Sequence, residues 1–272
     1  MAYEFPPLTP GDAKTVAARV AAVLQDAWQR LTDQQAAVLA ALSESGRAPH
    51  VVARLAEFQA AIADFQQRVD AEVRAFVTRQ LPLLYEQGAQ QAAEALGGRF
   101  TWTLIHTEAL QSLASDTYAD FLRRSQEEQR MAAAFYRAVR EAARREVPLL
   151  AAGNTTALQA ARALAERLAA EHQLLYVIYP GGARMPVQAW AESAVLAKSA
   201  VAYNAGTLNR AREAGVQYME VFDSTGCGWT SHKDPDKATG TLRTVEDAAA
   251  WPISHPRCGR AFGPRPDAVH KS

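Results

Sequence analysis

Cysteine is scarce in this chain of 272 residues, with two in all, Cys227 and Cys258. That excludes a framework of several disulfides and the small secreted scaffolds that depend on one. Net charge is missing as well. Lys plus Arg and Asp plus Glu number 29 each, so no global field draws the chain to nucleic acid or to an acidic membrane, and any such binding must be local. No apolar run approaches the roughly 18 residues of a membrane span. The opening Met1-Ala2-Tyr3-Glu4-Phe5-Pro6-Pro7 lacks the basic and apolar regions of a signal peptide. The expectation is a chain that folds in reducing cytosol without crossing a membrane. Catalytic signatures are absent too: His-x-Glu combined with Pro-Cys-x-x-Cys, His-Glu-x-x-His and Gly-x-Ser-x-Gly do not occur. The expectation is a protein that is not an enzyme.

Alanine and helical periodicity are abundant. Apolar residues make up 49% and charged residues 21%, which suits a mostly helical chain with ample material for a core. Length alone allows one large domain or two smaller ones. Thr9-Pro10-Gly11-Asp12 opens a helix carrying Val16, Val20, Val23, Leu24, Trp28 and Leu31 at helical spacing and ending by Gly46. A second opens near Pro49, with Val52, Leu55, Phe58, Ile62, Phe65, Val69, Val73 and Phe76 as its stripe. Two such helices make an antiparallel hairpin, its stripe either a bundle core or a coiled-coil seam between subunits. Residues 79 to 96 read as a third helix, broken or bent at Pro82 and stopped by Gly97-Gly98, a hinge candidate. His106 reads as a polar residue near the next helix start rather than a ligand. The run from Arg123 to Arg130 reads as a solvated helix face, or a surface for a charged partner, before helix resumes to about Pro148.

After a helix from Asn154 or Thr155 to Glu171, the period changes. Leu174 to Tyr179 and Arg184 to Val187 flank Pro180-Gly181-Gly182 as a small hairpin. A long helix over 188–214 ends at Gly215, placed as a C-cap. Val216 to Phe222 alternates as a strand, expected to join the hairpin in a three-stranded sheet. Thr244 and Asp247 form a capping pair for one short helical turn, and the tail beyond Cys258 is extended. The fold class is therefore mainly α. A helical N-terminal arm or bundle spans 1–153, and a small α+β module spans 154–272, with a short antiparallel sheet and a zinc-stapled loop.

The staple is read from Cys227-Gly228-Trp229-Thr230-Ser231-His232 and His255-Pro256-Arg257-Cys258. Two thiols and two imidazoles at these spacings can close a tetrahedron around Zn²⁺ through Cys227, His232, His255 and Cys258. Four protein ligands leave no position for water, so the metal would hold structure rather than activate a nucleophile. A Cys227 to Cys258 disulfide and two unligated thiols remain alternatives. The segment from Asp223 to Gly263 has little apolar periodicity, so a metal would contribute much of its order. Mid-helix Asn204 either ties the long helix to the backbone of this loop or is exposed. Trp229 and Trp251 either form an apolar lid over the metal or bind a base. A nuclease would use His232 or His255 with Asp234 or Asp236. Non-specific DNA contact would use Arg257, Arg260 and Arg265 and weaken steeply with salt.

Several stretches together resemble a known family. They are Tyr176 to Gly182, Ala189-Trp190-Ala191-Glu192, the run from Ala202 through Asn204, Gly206 and Gly215 to Val216, and Cys227 through His255-Pro256-Arg257-Cys258. Over residues 174–265 the chain resembles the Mu F-like head morphogenesis, or minor head, proteins of tailed bacteriophages. Phe100-Thr101-Trp102-Thr103 followed by a helix is similar to the actinobacterial-phage variety. Many members carry Cys-x-x-Cys and His-Pro-x-Cys-Arg-Cys, whereas here Cys227 is followed by His232, and Gly259-Arg260 follows Cys258. The resemblance implies that His232 replaces the second cysteine, with Asp234 as a stand-in. It also implies a few copies at the portal vertex inside the head, aiding assembly, packaging or genome delivery. The location implied is the virion, after assembly in host cytoplasm. The partner implied is the portal protein, with the major capsid protein and packaged DNA as further contacts and no membrane. The helical half would then dock on the portal or capsid protein, and the C-terminal module would face the DNA.

Overall fold

The computed structural model describes residues 10–44, 48–145, 155–179, 181–223 and 238–268. It is mainly helical with small antiparallel sheets. In order come α1 (Pro10–Glu44), α2 (Ala48–Ala75), a π-helical turn (Phe76–Gln80), α3 (Leu81–Ala95), α4 (Leu104–Arg145) and α5 (Thr155–Glu171). Then follow β1 (Tyr176–Ile178), β2 (Arg184–Pro186), α6 (Val187–Glu213), β3 (Tyr218–Phe222), β4 (Leu242–Thr244), α7 (Val245–Ala250) and β5 (Ala261–Pro264). Among the described residues no helix is long and apolar enough to cross a membrane.

Pro82 does not break the chain. The π turn before it hands the Leu81 N–H to the carbonyl of Phe76, five residues back. This wider turn accommodates a proline that lacks a donor and would crowd the carbonyl four residues before it. Gly97 stops α3 at φ 74°, while Gly97 and Gly98 donate to Glu94 and Ala93 at 3.0 and 2.8 Å. That is the paired bonding of a Schellman cap. Gly215 ends α6 in the same way: φ is 74°, and Gly215 and Val216 each donate at 3.0 Å to Arg212 and Ala211.

The chain divides into two compact units. One contains Met1–Val20, Arg74–Ala119 and Ala191–Ser272, the other Ala21–Val73 and Asp120–Trp190. In the second unit the helical stripe is core within one chain rather than a seam between subunits. Phe58 and Phe135 meet edge to face at 5.2 Å, and Trp28 meets Phe65 at 4.5 Å, while Leu24, Leu31, Leu55 and Val69 are buried around them. The stripe's phase differs at its start, where Val51 is buried and Val52 is exposed. The β1–β2 hairpin, with Tyr176 opposite Pro186, forms as expected.

The first unit is built on a three-stranded sheet in the order β4-β3-β5. This corrects the expectation that β3 joins the hairpin. Both neighbours come from later in the chain, Met219 facing Arg243 and Val221 facing Phe262. The tail after Cys258 is therefore not merely extended but pairs as β5. Met219 and Val221 point into a cluster with Leu208, Ala211, Val245 and Phe262, and Glu220 faces away to pair with Arg265 at 2.9 Å. The capping pair forms as read, with Thr244 Oγ1 accepting from the Asp247 N–H at 3.1 Å.

Backbones of α3 and α6 touch where two glycines meet them. A Cβ on Gly88 would lie 1.9 Å from the carbonyl oxygen of Tyr203, and one on Gly206 would lie 2.0 Å from that of Tyr85. Thr207 donates to the Gly88 carbonyl at 3.1 Å, and Asn209 to the Tyr85 hydroxyl at 2.9 Å. This crossing fixes the rotation of α6 and so the direction in which Asn204 points.

Candidate metal centre

Asn204 is fully buried. Its Nδ2 donates to the carbonyls of Pro252 at 2.7 Å and Arg260 at 2.9 Å, so one amide grips the backbone on both sides of His255-Pro256-Arg257-Cys258. The exposed reading of Asn204 is thus overturned: it ties the long helix to this segment. Within the turn the Cys258 N–H donates to the His255 carbonyl at 2.9 Å. Cys258 is buried and His255 half-buried.

Asp223 was missed in the sequence. Its carboxylate takes a two-pronged bond from Arg260, at 2.6 and 3.1 Å, with both side chains essentially without solvent contact. Its Oδ2 also accepts from the Ala238 N–H at 2.6 Å, and its own N–H donates to Thr239 Oγ1 at 2.8 Å. Asp223 and Ala238 bracket residues 224–237. One carboxylate therefore joins both ends of that segment to an arginine two positions past Cys258. Its only signal in the sequence is a carboxylate and an arginine lying just outside the two Cys/His pairs.

Cys227 and His232 lie outside the described residues, as do Trp229, Asp234 and Asp236. Among the described residues no three His, Cys, Asp or Glu side chains gather so as to hold a metal ion. The donor types still suit Zn²⁺, and the Asp223 carboxylate ties Asp223 and Ala238, the described residues on either side of 224–237, to Arg260, two positions past Cys258. Bound there by four protein ligands, zinc would cross-link the two segments and supply no open coordination position.

The arginines proposed for DNA are otherwise engaged. Arg260 is buried against Asp223 and cannot reach a phosphate, which corrects that part of the reading. Arg257 bonds Ser193 at 3.0 Å and pairs with Glu192 at 3.4 Å. Arg265 holds Glu220 and Asp267, and its hydrogen bond draws the Asp267 carboxyl down to about 2. Trp251 is exposed.

His106 is fully buried near the start of α4. Nδ1 meets the Tyr85 hydroxyl at 2.9 Å and Nε2 meets Glu213 at 3.3 Å, inside a ring cluster with Phe100 and Trp102. It bridges three elements through hydrogen bonds. Burial pushes the Tyr85 phenol up, while Asn209 acts against that. Comparison of the chain with family models, curated proteins and solved structures returned no match.

Proposed function

We propose that this chain is a structural component of a tailed-phage head, bound at the portal vertex inside the capsid, where it aids assembly, packaging or genome delivery. Cys227, His232, His255 and Cys258 hold a structural zinc ion in this reading. The observation that carries it is the order of hairpin, Asn204-bearing helix, strand and His-Pro-x-Cys turn over residues 174–265, in which the Asn204 amide bonds both flanks of the turn. Contact with protein rather than DNA is supported by the burial of Arg260. It is also supported by exposed apolar side chains at Trp102, Leu104 and Ile105, since such clusters mark interaction faces.

Quantitative mass spectrometry of purified particles from the source phage or prophage tests the proposal. The expected result is a low, reproducible copy number, at or below that of the portal protein. Absence of the chain from mature particles would remove the virion role.

A further inference from the structure

The run from Arg123 to Arg130 is not wholly the solvated face that its charges suggest. Ser125 and Glu128 turn inward, on the face of α4 that also buries Phe121, Ala132, Phe135 and Val139. On the opposite side, about half a turn round the helix, a second row runs through the second unit. Arg123, Arg130, Arg137 and Arg144 stand there at seven-residue steps, all exposed, with Arg140 exposed between the last two. Gln126 and Ala133 complete the row at steps of three and four, so it contains no carboxylate. At 1.5 Å per residue it is about 32 Å long.

Arg30, Arg54 and Arg68 in the same unit each meet a carboxylate three or four positions away, at 2.6 to 2.7 Å. On α4 such pairing stops at Arg123 with Asp120 and Arg124 with Glu127. Arg130, Arg137, Arg140 and Arg144 have no ion pair among the described residues, and Glu141, at the flank of the row, interacts with none of them. Arg137, Arg140 and Arg144 follow one another at steps of three and four, where like charges repel and weaken a helix. An external anion would turn that repulsion into attraction.

A groove adjoins the row. Gln129 bonds Gln66 at 3.0 Å and Tyr136 bonds Gln59 at 3.2 Å, which holds α4 beside α2. The groove has a volume of about 380 Å³ and is lined by Ile62, Gln126, Gln129, Arg130 and Ala133. Ile62 and Ala133 give it apolar surface next to a guanidinium group that has no carboxylate of its own.

We propose that this face binds an acidic helix of another protein, laid along α4 with carboxylates at seven-residue steps, about 10.5 Å apart, and one apolar side chain in the groove. Exposed ion pairs are individually weak, so the row sets register and specificity while the anchored side chain adds affinity. Duplex DNA fits this face less well. A helix reads a duplex by entering its major groove, but α4 is held by its inward face and by α2, so a straight row would meet strands that wind away from it. A second copy of the chain also fits less well, because Asp26, Glu57 and Asp64 are already paired with their own arginines. The inference does not depend on the phage-head reading.

Two labelled helical peptides of about 22 residues and identical composition test it when titrated into the full chain at about 0.05 M salt. One carries glutamates at seven-residue steps on a single face with a leucine between them, and the other spreads the same residues around the helix. The first is expected to bind at least about tenfold more tightly and to weaken as salt rises. The double variant Arg130→Glu, Arg137→Glu should lose about tenfold or more, and a peptide with lysine in place of glutamate should restore binding to that variant alone. Arg30→Gln should stay within about threefold of the parent. Equal binding of the two peptides overturns the proposal, as does a failure of the first to saturate below about 1 mM. So do tighter binding of a duplex DNA of similar length and self-association of the parent that the double variant abolishes.

Discussion

At Glu128 a single proton is coupled to folding. Burial holds the folded carboxyl at about 8, against 4.5 for an unperturbed one. Between those values the folded chain retains a proton that the unfolded chain has lost. Stability is therefore full below the unfolded value and falls as pH rises through about 8. At about 1.4 kcal/mol per unit, the loss is on the order of a few kcal/mol. Urea unfolding across about pH 5 to 9 should show that fall in the parent and a much flatter profile in Glu128→Gln, with the variant the more stable at the alkaline end. Equal slopes in both proteins would mean that Glu128 is solvated in the folded state. The residue was hidden in the sequence because six of its seven neighbours from Arg123 to Arg130 are charged or amide side chains, which reads as a wet surface. Its phase was nevertheless present: Phe121, Ser125, Glu128, Ala132, Phe135 and Val139 recur at steps of three and four, and all are buried. Asn204 was legible for a different reason, since an amide in mid-helix is unfavourable without a partner. Asp223 was not, because nothing local distinguishes a carboxylate that ends a strand from one that bonds an arginine 37 residues later.

Helix ends and faces were read well because their causes are local. Gly97, Gly215 and Thr244 cap through bonds within a few residues, and the apolar stripes need only a period. Strand partners were read badly because β3 takes its neighbours from β4 and β5, beyond residues 224–237, and three- or four-residue strands carry little pattern of their own. The crossing of α3 and α6 belongs to the same class, since Gly88 and Gly206 each look like helix-weakening residues until the two helices are laid together. There they allow carbonyl oxygens to approach where any Cβ would collide. Gly206→Ala should therefore cost at least about 3 kcal/mol, because the obstruction is backbone and cannot rotate away. Gly98→Ala is the matched control: its added Cβ meets nothing nearer than 3.7 Å, so a change within about 0.5 kcal/mol is expected. Thermal or urea denaturation of both variants measures the difference, and equal losses would mean that the helices do not pack this closely.

In the whole molecule, stabilising material is divided unevenly between the two units. The second is rich in large buried side chains such as Trp28, Phe58, Phe65 and Phe135. The sheet of the first is made of strands of three to five residues around a small cluster, and its connections include the segment that carries Cys227 and His232. A three-stranded sheet of that size has little margin without help. Its help within the described residues is polar: the Asp223–Arg260 pair and the two Asn204 bonds, which direct the chain but contribute modest net stability in a buried setting. The proposed zinc would close the same junction covalently, with a binding free energy on the order of ten kcal/mol in small zinc peptides. Removing it should loosen the sheet and leave the aromatic core of the second unit unchanged. Hydrogen exchange before and after chelation separates these cases. Protection should fall at 218–222, 242–250 and 261–264, should hold at 55–69 and 132–139, and should return when zinc is restored. Cys258→Ala should show the loosened pattern without chelator. If the purified chain carries no zinc, or chelation changes both sets of segments alike, the four-ligand reading fails, and the polar junction alone must hold the sheet.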